Sequence, residues 1–220
     1  MKYFFLSIFV IATIIHLYAR LKRIAKVRDI SKIFILLPLT FFYMFSVEQF
    51  NWFVVIALIA SWIGDVLLIF HGLKWFCFGG ISFLISHVFF IIAYNTYIDY
   101  QNVPIWVLIS LPILAILIVA VIFKSLIQYL KKPLIVPMFG YLLTNGAMNV
   151  FAMFRLISSA TDFSAILGPL LTVIGAILFF VSDTTLFFVR FNKNSIMRTH
   201  FLVMLTYSIG EFLIVLGLIL

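Results

Sequence analysis

Charge is scarce in this chain: only 10% of its 220 residues are charged, and seven of them are acidic. With 65% hydrophobic residues and a mean hydropathy of +1.27, there is too little polar surface to cover a soluble domain of this length. Cysteine occurs once, at Cys77, which excludes both a disulfide framework and a cysteine-based metal site. A lone cysteine of this kind packs between helices as a small apolar residue. The chain has no Gly-x-Ser-x-Gly elbow, no His-Glu-x-x-His, no phosphate-binding loop and no cluster of histidine and cysteine. Serine, zinc and nucleotide chemistry are therefore disfavoured, and neither a metal nor a cofactor is expected. Polar linkers longer than about a dozen residues are also absent, leaving no room for a soluble domain.

What remains is an integral membrane protein of the all-α class, a single domain over residues 1–220 with about eight transmembrane helices. Runs long enough to cross about 30 Å of hydrocarbon recur along the whole chain. They cover residues 3–19, 33–47, 52–70, 75–97, 104–123, 134–156, 164–190 and 199–220. The first is read as a span and not as a signal peptide, since no small-residue cleavage site follows it. The second is short and contains Pro38; the seventh carries Gly168-Pro169, which implies tilt or an interfacial first turn.

The basic residues segregate. In an eight-span arrangement Arg20, Lys22, Arg23, Lys26, Arg28, Lys32, Lys74, Lys124, Lys131, Lys132, Arg190, Lys193 and Arg198 fall on one side, and only Lys2 and Arg155 on the other. The positive-inside rule makes that side cytoplasmic and both termini extracytoplasmic, in a plasma (inner) membrane. Glu48, Asp99 and Asp162 lie in the opposite loops. The net charge of +8 thus has a topological origin, and a nucleic-acid partner is not needed. The bilayer is the partner, and anionic headgroups suit the basic side.

Against this apolar background two aspartates stand inside spans, Asp65 in Ala57-Leu-Ile-Ala-Ser-Trp-Ile-Gly-Asp-Val-Leu-Leu and Asp183 in Gly175-Ala-Ile-Leu-Phe-Phe-Val-Ser-Asp-Thr-Thr-Leu. A carboxylate in hydrocarbon costs a few kcal/mol or more, so each needs a partner or a task. Counting about 1.5 Å per residue from the cytoplasmic ends puts Asp65 roughly 7 Å and Asp183 roughly 10 Å deep, an expectation of one shared layer. Tyr141, Asn145 and Asn149 recur every fourth residue and form one polar stripe on the sixth span; Tyr207 and Glu211 do the same on the eighth. Ser82, Ser86 and His87 lie on the fourth. Each serine, asparagine or tyrosine also has an ordinary reading as interhelical glue, and His87 and Glu211 as buried hydrogen-bonded groups. The 27 phenylalanines are lipid contact and packing, while Trp52, Trp75, Trp106 and Tyr100 near span ends fit interfacial belts.

Membrane aspartyl proteases also pair two intramembrane aspartates, but through Tyr-Asp and Gly-x-Gly-Asp, where this chain has Ile-Gly-Asp and Val-Ser-Asp. Ser61-Trp-Ile-Gly-Asp-Val-Leu-Leu, Phe78-Gly-Gly-Ile-Ser-Phe-Leu-Ile-Ser-His87 and Gly175-Ala-Ile-Leu-Phe-Phe-Val-Ser-Asp183 with Arg190-Phe-Asn together resemble the YhhN family of membrane lysoplasmalogenases. The resemblance extends to Lys32, to Pro137 with Tyr141, and to Tyr207. Glu211 departs from it, since the family pattern favours glutamine there. What the resemblance implies is hydrolysis of the vinyl ether of a lysophospholipid substrate, with Asp65 and Asp183 as catalytic carboxyls. His87, Tyr141, Asn145, Tyr207 and Glu211 would support the site, and Lys32 would meet the phosphate unless it is an ordinary positive-inside residue. Vinyl ethers hydrolyse by proton transfer to carbon, giving an oxocarbenium ion that water captures, so an acid and a nearby anion are required. A proton- or cation-coupled transporter using the same aspartates and a noncatalytic lipid-binding protein are the competing readings; a relay should reach both membrane faces, whereas the polar groups here crowd the cytoplasmic half. Asp65 and Asp183 each fall on the third helix of a four-helix half, which allows an ancestral duplication, though few side chains match.

Overall fold

A computed structural model describes residues 1–160, 165–192 and 200–220. Asp162, Lys193 and Arg198, assigned above to loops, lie outside the described residues, as do the first positions of the ranges expected for the seventh and eighth spans. Among the described residues there are eight α-helices and no strand: α1 (Lys2–Lys22), α2 (Ala25–Met44), α3 (Trp52–Leu67), α4 (Leu73–Asn95), α5 (Ile105–Leu126), α6 (Lys132–Ser158), α7 (Leu167–Phe191) and α8 (His200–Ile219). The order and number match the hydropathy reading. Six of these helices are long and apolar enough to cross a membrane. The exceptions have plain causes. Helix α2 carries Lys26, Arg28, Asp29 and Lys32 in its first half, and α3 has only sixteen residues, or about 24 Å of helix.

The helices fall into two compact units, Met1–Ala93 and Tyr94–Leu218, with the boundary in the last turn of α4 and the final two residues divided between them. Each unit holds four helices.

In the first unit, α1 and α2 are joined by a two-residue turn. Arg23 adopts a left-handed conformation (φ 57°, ψ 34°), and the amides of Arg23 and Ile24 return to the carbonyls of Arg20 and Ala19, the Schellman pattern that satisfies helix-terminal carbonyls. Helix α2 begins eight residues earlier than hydropathy suggests, at Ala25, because charged side chains do not oppose helix formation and can lie in the interface. It is then broken at Phe34 (φ −94°, ψ 16°), four residues before Pro38. Proline has no N–H to donate to that carbonyl and its ring collides with it, so a kink at i−4 is the expected result. The indole of Trp62 on α3 donates to the Ile33 carbonyl beside the kink at 2.9 Å, which ties α3 to α2 at a fixed register. Helix α4 packs on α3 through Ser61 and Ser86 (2.8 Å) and through Ser82, which donates to the Ala60 carbonyl.

In the second unit α7 and α8 approach to backbone contact. A Cβ on Gly175 would lie 2.6 Å from the Gly210 carbonyl oxygen, and one on Gly210 would lie 2.9 Å from that of Gly175. Gly168 and Gly217 repeat the arrangement seven residues away on each helix. Small residues at such spacing let helices close up where lipid supplies no hydrophobic drive. Ser182 adds a hydrogen bond to the Val203 carbonyl at 2.8 Å. Arg155, near the end of α6, is buried and donates to Thr172 Oγ1 on α7 (2.7 Å) and to the Gly217 carbonyl on α8 (2.9 Å), with its guanidinium 5.1 Å from the Tyr97 ring centre. These contacts fix α6, α7 and α8 to one another, and α7 carries Asp183.

Candidate functional site

Each intramembrane aspartate is buried and has polar partners from the helix that precedes its own in the same unit. In the first unit Asp65, 2% exposed, lies on α3 one turn beyond Trp62. Lys32 Nζ of α2 is 3.1 Å from its Oδ1. The Trp62 bond to Ile33 and the Lys32 contact with Asp65 are adjacent on both helices, so the register that satisfies the kink also delivers the ammonium to the carboxylate. Lys32 is itself only 6% exposed; it belongs to the protein interior and not to the membrane surface. A buried ion pair of this kind is a poor source of net stability, but removing one partner leaves the other uncompensated. His87 is fully buried on α4, next to the Ser86 hydroxyl that meets Ser61, one turn before Asp65 on α3.

In the second unit Asp183 Oδ2 accepts two hydrogen bonds from α6, from Tyr141 Oη at 2.6 Å and from Asn145 Nδ2 at 2.8 Å. The i, i+4 spacing of Tyr141 and Asn145 places them one above the other on the face that meets α7. Asn149 continues the stripe: its Nδ2 donates to the Asn145 carbonyl at 2.9 Å and reaches Asn145 Oδ1 at 3.4 Å. With Oδ1 so engaged, the amide of Asn145 presents its N–H groups to Asp183. The Tyr141 ring is held edge-on to Phe187, one turn after Asp183, and Tyr207 of α8 stands edge-on to Phe179, one turn before it. Glu211 is fully buried one turn further along α8.

Each unit presents one oriented carboxyl group, Asp65 beside an ammonium in the first and Asp183 beside two neutral donors in the second. Both can take part in proton transfer or face a developing cation without reorganising, which is what preorganised polar groups in a low-dielectric site contribute to catalysis. Among the described residues no group of three or more histidine, cysteine, aspartate or glutamate side chains could hold a metal ion. An apolar cavity of about 380 Å³ between α5 and α6 is lined by Ala115, Val119, Gly146, Val150 and Phe154, among others. These α6 positions lie on the face turned away from Asn145, so the cavity is separate from the carboxylate.

A second polar cluster at the basic end of the first unit went unread in the sequence. His16 on α1 is fully buried and accepts from Nε of Arg20. The i, i+4 spacing of His16 and Arg20 within an apolar helix is the signal that could have disclosed it. Beside it, Arg28 and Asp29 form a two-point contact, Nε to Oδ1 at 2.7 Å and Nη2 to Oδ2 at 3.0 Å. The Arg28 guanidinium holds the Asp29 carboxyl below its ordinary range.

The family model that matches is that of the YhhN family, over residues 27–218, nearly the whole chain. That span includes Lys32, Asp65, Asp183 and the α6 and α8 candidates, and begins after His16 and Arg20. No curated protein and no solved structure matches.

Proposed function

From the premise that the chain belongs to the YhhN family, we propose that this membrane protein hydrolyses the vinyl ether of lysoplasmalogens to a fatty aldehyde and a glycerophospho-alcohol. The observation that carries the reading is the convergence of Tyr141 and Asn145 on one oxygen of the buried Asp183. An oriented carboxylate in hydrocarbon suits a reaction whose intermediate is a cation.

The chemistry assigns work to both aspartates. A proton is delivered to the alkene carbon remote from the ether oxygen, and the electron pair of the double bond forms the new C–H bond. The ether oxygen shares the resulting positive charge as an oxocarbenium ion. Water adds to the cationic carbon and loses a proton to a base. The hemiacetal so formed breaks its bond to the glycerol oxygen, which takes a proton and leaves as alcohol, while the hydroxyl collapses to the aldehyde. Asp183, directed by two donors, is assigned to stabilise the cation and orient water. In the Lys32–Asp65 pair the proton is on the ammonium; Asp65 is assigned to take it from Lys32 Nζ and pass it to the alkene carbon, leaving Lys32 as the neutral amine. His87, Tyr207 and Glu211 are assigned supporting roles.

Purified protein in neutral detergent should release fatty aldehyde from lysoplasmenyl-ethanolamine or lysoplasmenyl-choline, with Asp65→Asn and Asp183→Asn each abolishing release. No aldehyde from folded wild-type protein would overturn the assignment and return the transporter reading to the front.

A further inference from the structure

The basic end of the first unit contains more than topological charge. Apart from the exposed Lys22, Arg23 and Lys26, three less exposed cations, Arg20, Arg28 and Lys32, stand there with two carboxylates, Asp29 and Asp65. Lys32 is taken by Asp65 and Arg28 by Asp29. Of these three, Arg20 alone has no carboxylate within ion-pair distance among the described residues.

Arg20 differs from the basic residues around it. Lys22 and Arg23 in the same turn are exposed, as expected of side chains that reach freely toward headgroups. Arg20 is half-buried, and its Nε–H donates to Nε2 of His16 at 3.2 Å. Because Nε2 accepts, the imidazole proton is on Nδ1, which faces the Arg28 carbonyl at 2.9 Å and Ser31 Oγ at 3.1 Å. Ser31 in turn donates to the same carbonyl. The fully buried imidazole is thus a neutral, oriented acceptor, locked to α2 and fixing the guanidinium plane through one nitrogen. The edge bearing the two terminal nitrogens is left for another acceptor; among the described residues it has no hydrogen-bond partner. A planar fork of this kind matches two oxygens of a phosphate.

We propose that Arg20, positioned by His16, receives the phosphate of a lysophospholipid headgroup. The inference rests on the hydrolase reading for the identity of the lipid. Position supports it: Arg20 is in the last turn of α1, and the ends of spanning helices are where basic side chains meet headgroups. The adjoining start of α2 has no side-chain cap and no acidic residue in its first turn, so its positive end favours an anion at the same place. Lys32, the sequence-level candidate for this task, is occupied by Asp65.

The test compares two non-hydrolysable ligands on the purified full-length protein: a 1-O-alkyl lysophosphoethanolamine and the phosphate-free 1-O-alkylglycerol. Arg20→Gln should weaken binding of the first at least about tenfold and leave the second unchanged. Arg20→Lys, which keeps the charge without the fork, should lie between. His16→Ala should weaken the phosphate ligand selectively, as loss of a positioning residue. Equal loss of both ligands in Arg20→Gln and Arg20→Lys, or no loss of either, would overturn the proposal. Inorganic phosphate distinguishes the source: displacement of the lysolipid that requires Arg20 supports a site for the phosphate group as such, and Arg20-dependent lipid binding without displacement supports the lipid headgroup. Binding of the alkyl ether does not depend on turnover. Arg20-dependent binding without aldehyde release from the vinyl ether would therefore sink the hydrolase reading alone, while full turnover at unchanged KM in Arg20→Gln would sink this proposal alone.

Discussion

Lys32 and Asp65 form a buried ion pair at 3.1 Å, set by the same α2–α3 register that seats Trp62 on the carbonyl of Ile33. Each residue makes the presence of the other tolerable. Lys32→Met should leave a buried carboxylate without its cation and cost about 3–5 kcal/mol of stability. The double variant Lys32→Met/Asp65→Leu should recover most of that loss, since neither charge is then desolvated. Thermal unfolding in detergent checks both, and additive losses would show that the two side chains do not depend on each other.

The donors on Asp183 allow a separation of chemistry from folding. Asp183→Asn retains shape and should reduce vinyl-ether hydrolysis by at least about 10²-fold. Tyr141→Phe removes one of the two hydrogen bonds and should lower kcat by about tenfold or more with little change in KM, because the bond acts on the charged intermediate and not on the bound lipid. Midpoints of thermal unfolding should stay within a few degrees of wild type. A Tyr141→Phe protein with wild-type kcat would remove Asp183 from the charge-stabilising role.

The topology is testable with the one native cysteine removed. In a Cys77→Ala background, single cysteines at positions 26, 73 and 128 should react with impermeant thiol reagents only from the cytoplasmic side, and cysteines near either terminus only from outside. A cytoplasmic carboxyl terminus would overturn the orientation and with it the depths assigned to the aspartates.

How far the sequence carries can be seen residue by residue. Long apolar runs announce the helices, and a charge within such a run is visible because it is costly there, so Asp65 and Asp183 stand out. Tyr141 and Asn145 are legible as one face by their spacing. Lys32 is harder: in a basic segment it reads as a surface residue, and its burial depends on a kink at Phe34 whose effect on the register of α2 and α3 is tertiary. His16 is hidden for a similar reason, since its decisive partner is the backbone carbonyl of Arg28, and a carbonyl has no sequence signature. In both units the second helix supplies polar groups to the aspartate of the third, Lys32 in one and Tyr141 with Asn145 in the other. The correspondence is in placement and not in side-chain type, which is why the two halves match so poorly when written out.

The contact between Gly175 and Gly210 leads to a last prediction, in which packing and activity are linked. A methyl group on Gly175 would meet the Gly210 carbonyl oxygen at 2.6 Å and the Ile214 amide nitrogen at 2.7 Å. Both are backbone atoms, so no side-chain rotation can relieve the clash and α7 must move away from α8. Gly175→Ala should therefore cost about 1–3 kcal/mol, the usual range for overpacking, and Gly175→Leu more. Gly210→Ala presses on the same contact from the other helix, its added carbon 2.9 Å from the Gly175 carbonyl oxygen. Once one substitution has parted the helices, the second finds room already made. The double variant should thus be clearly less destabilised than the sum of the singles. Asp183 lies two turns along α7 from Gly175, and its hydrogen bonds to α6 depend on where that helix sits, so kcat should fall with stability in each single variant. Full additivity, or an alanine at Gly175 without effect on unfolding, would mean that the two helices are not in backbone contact at this point.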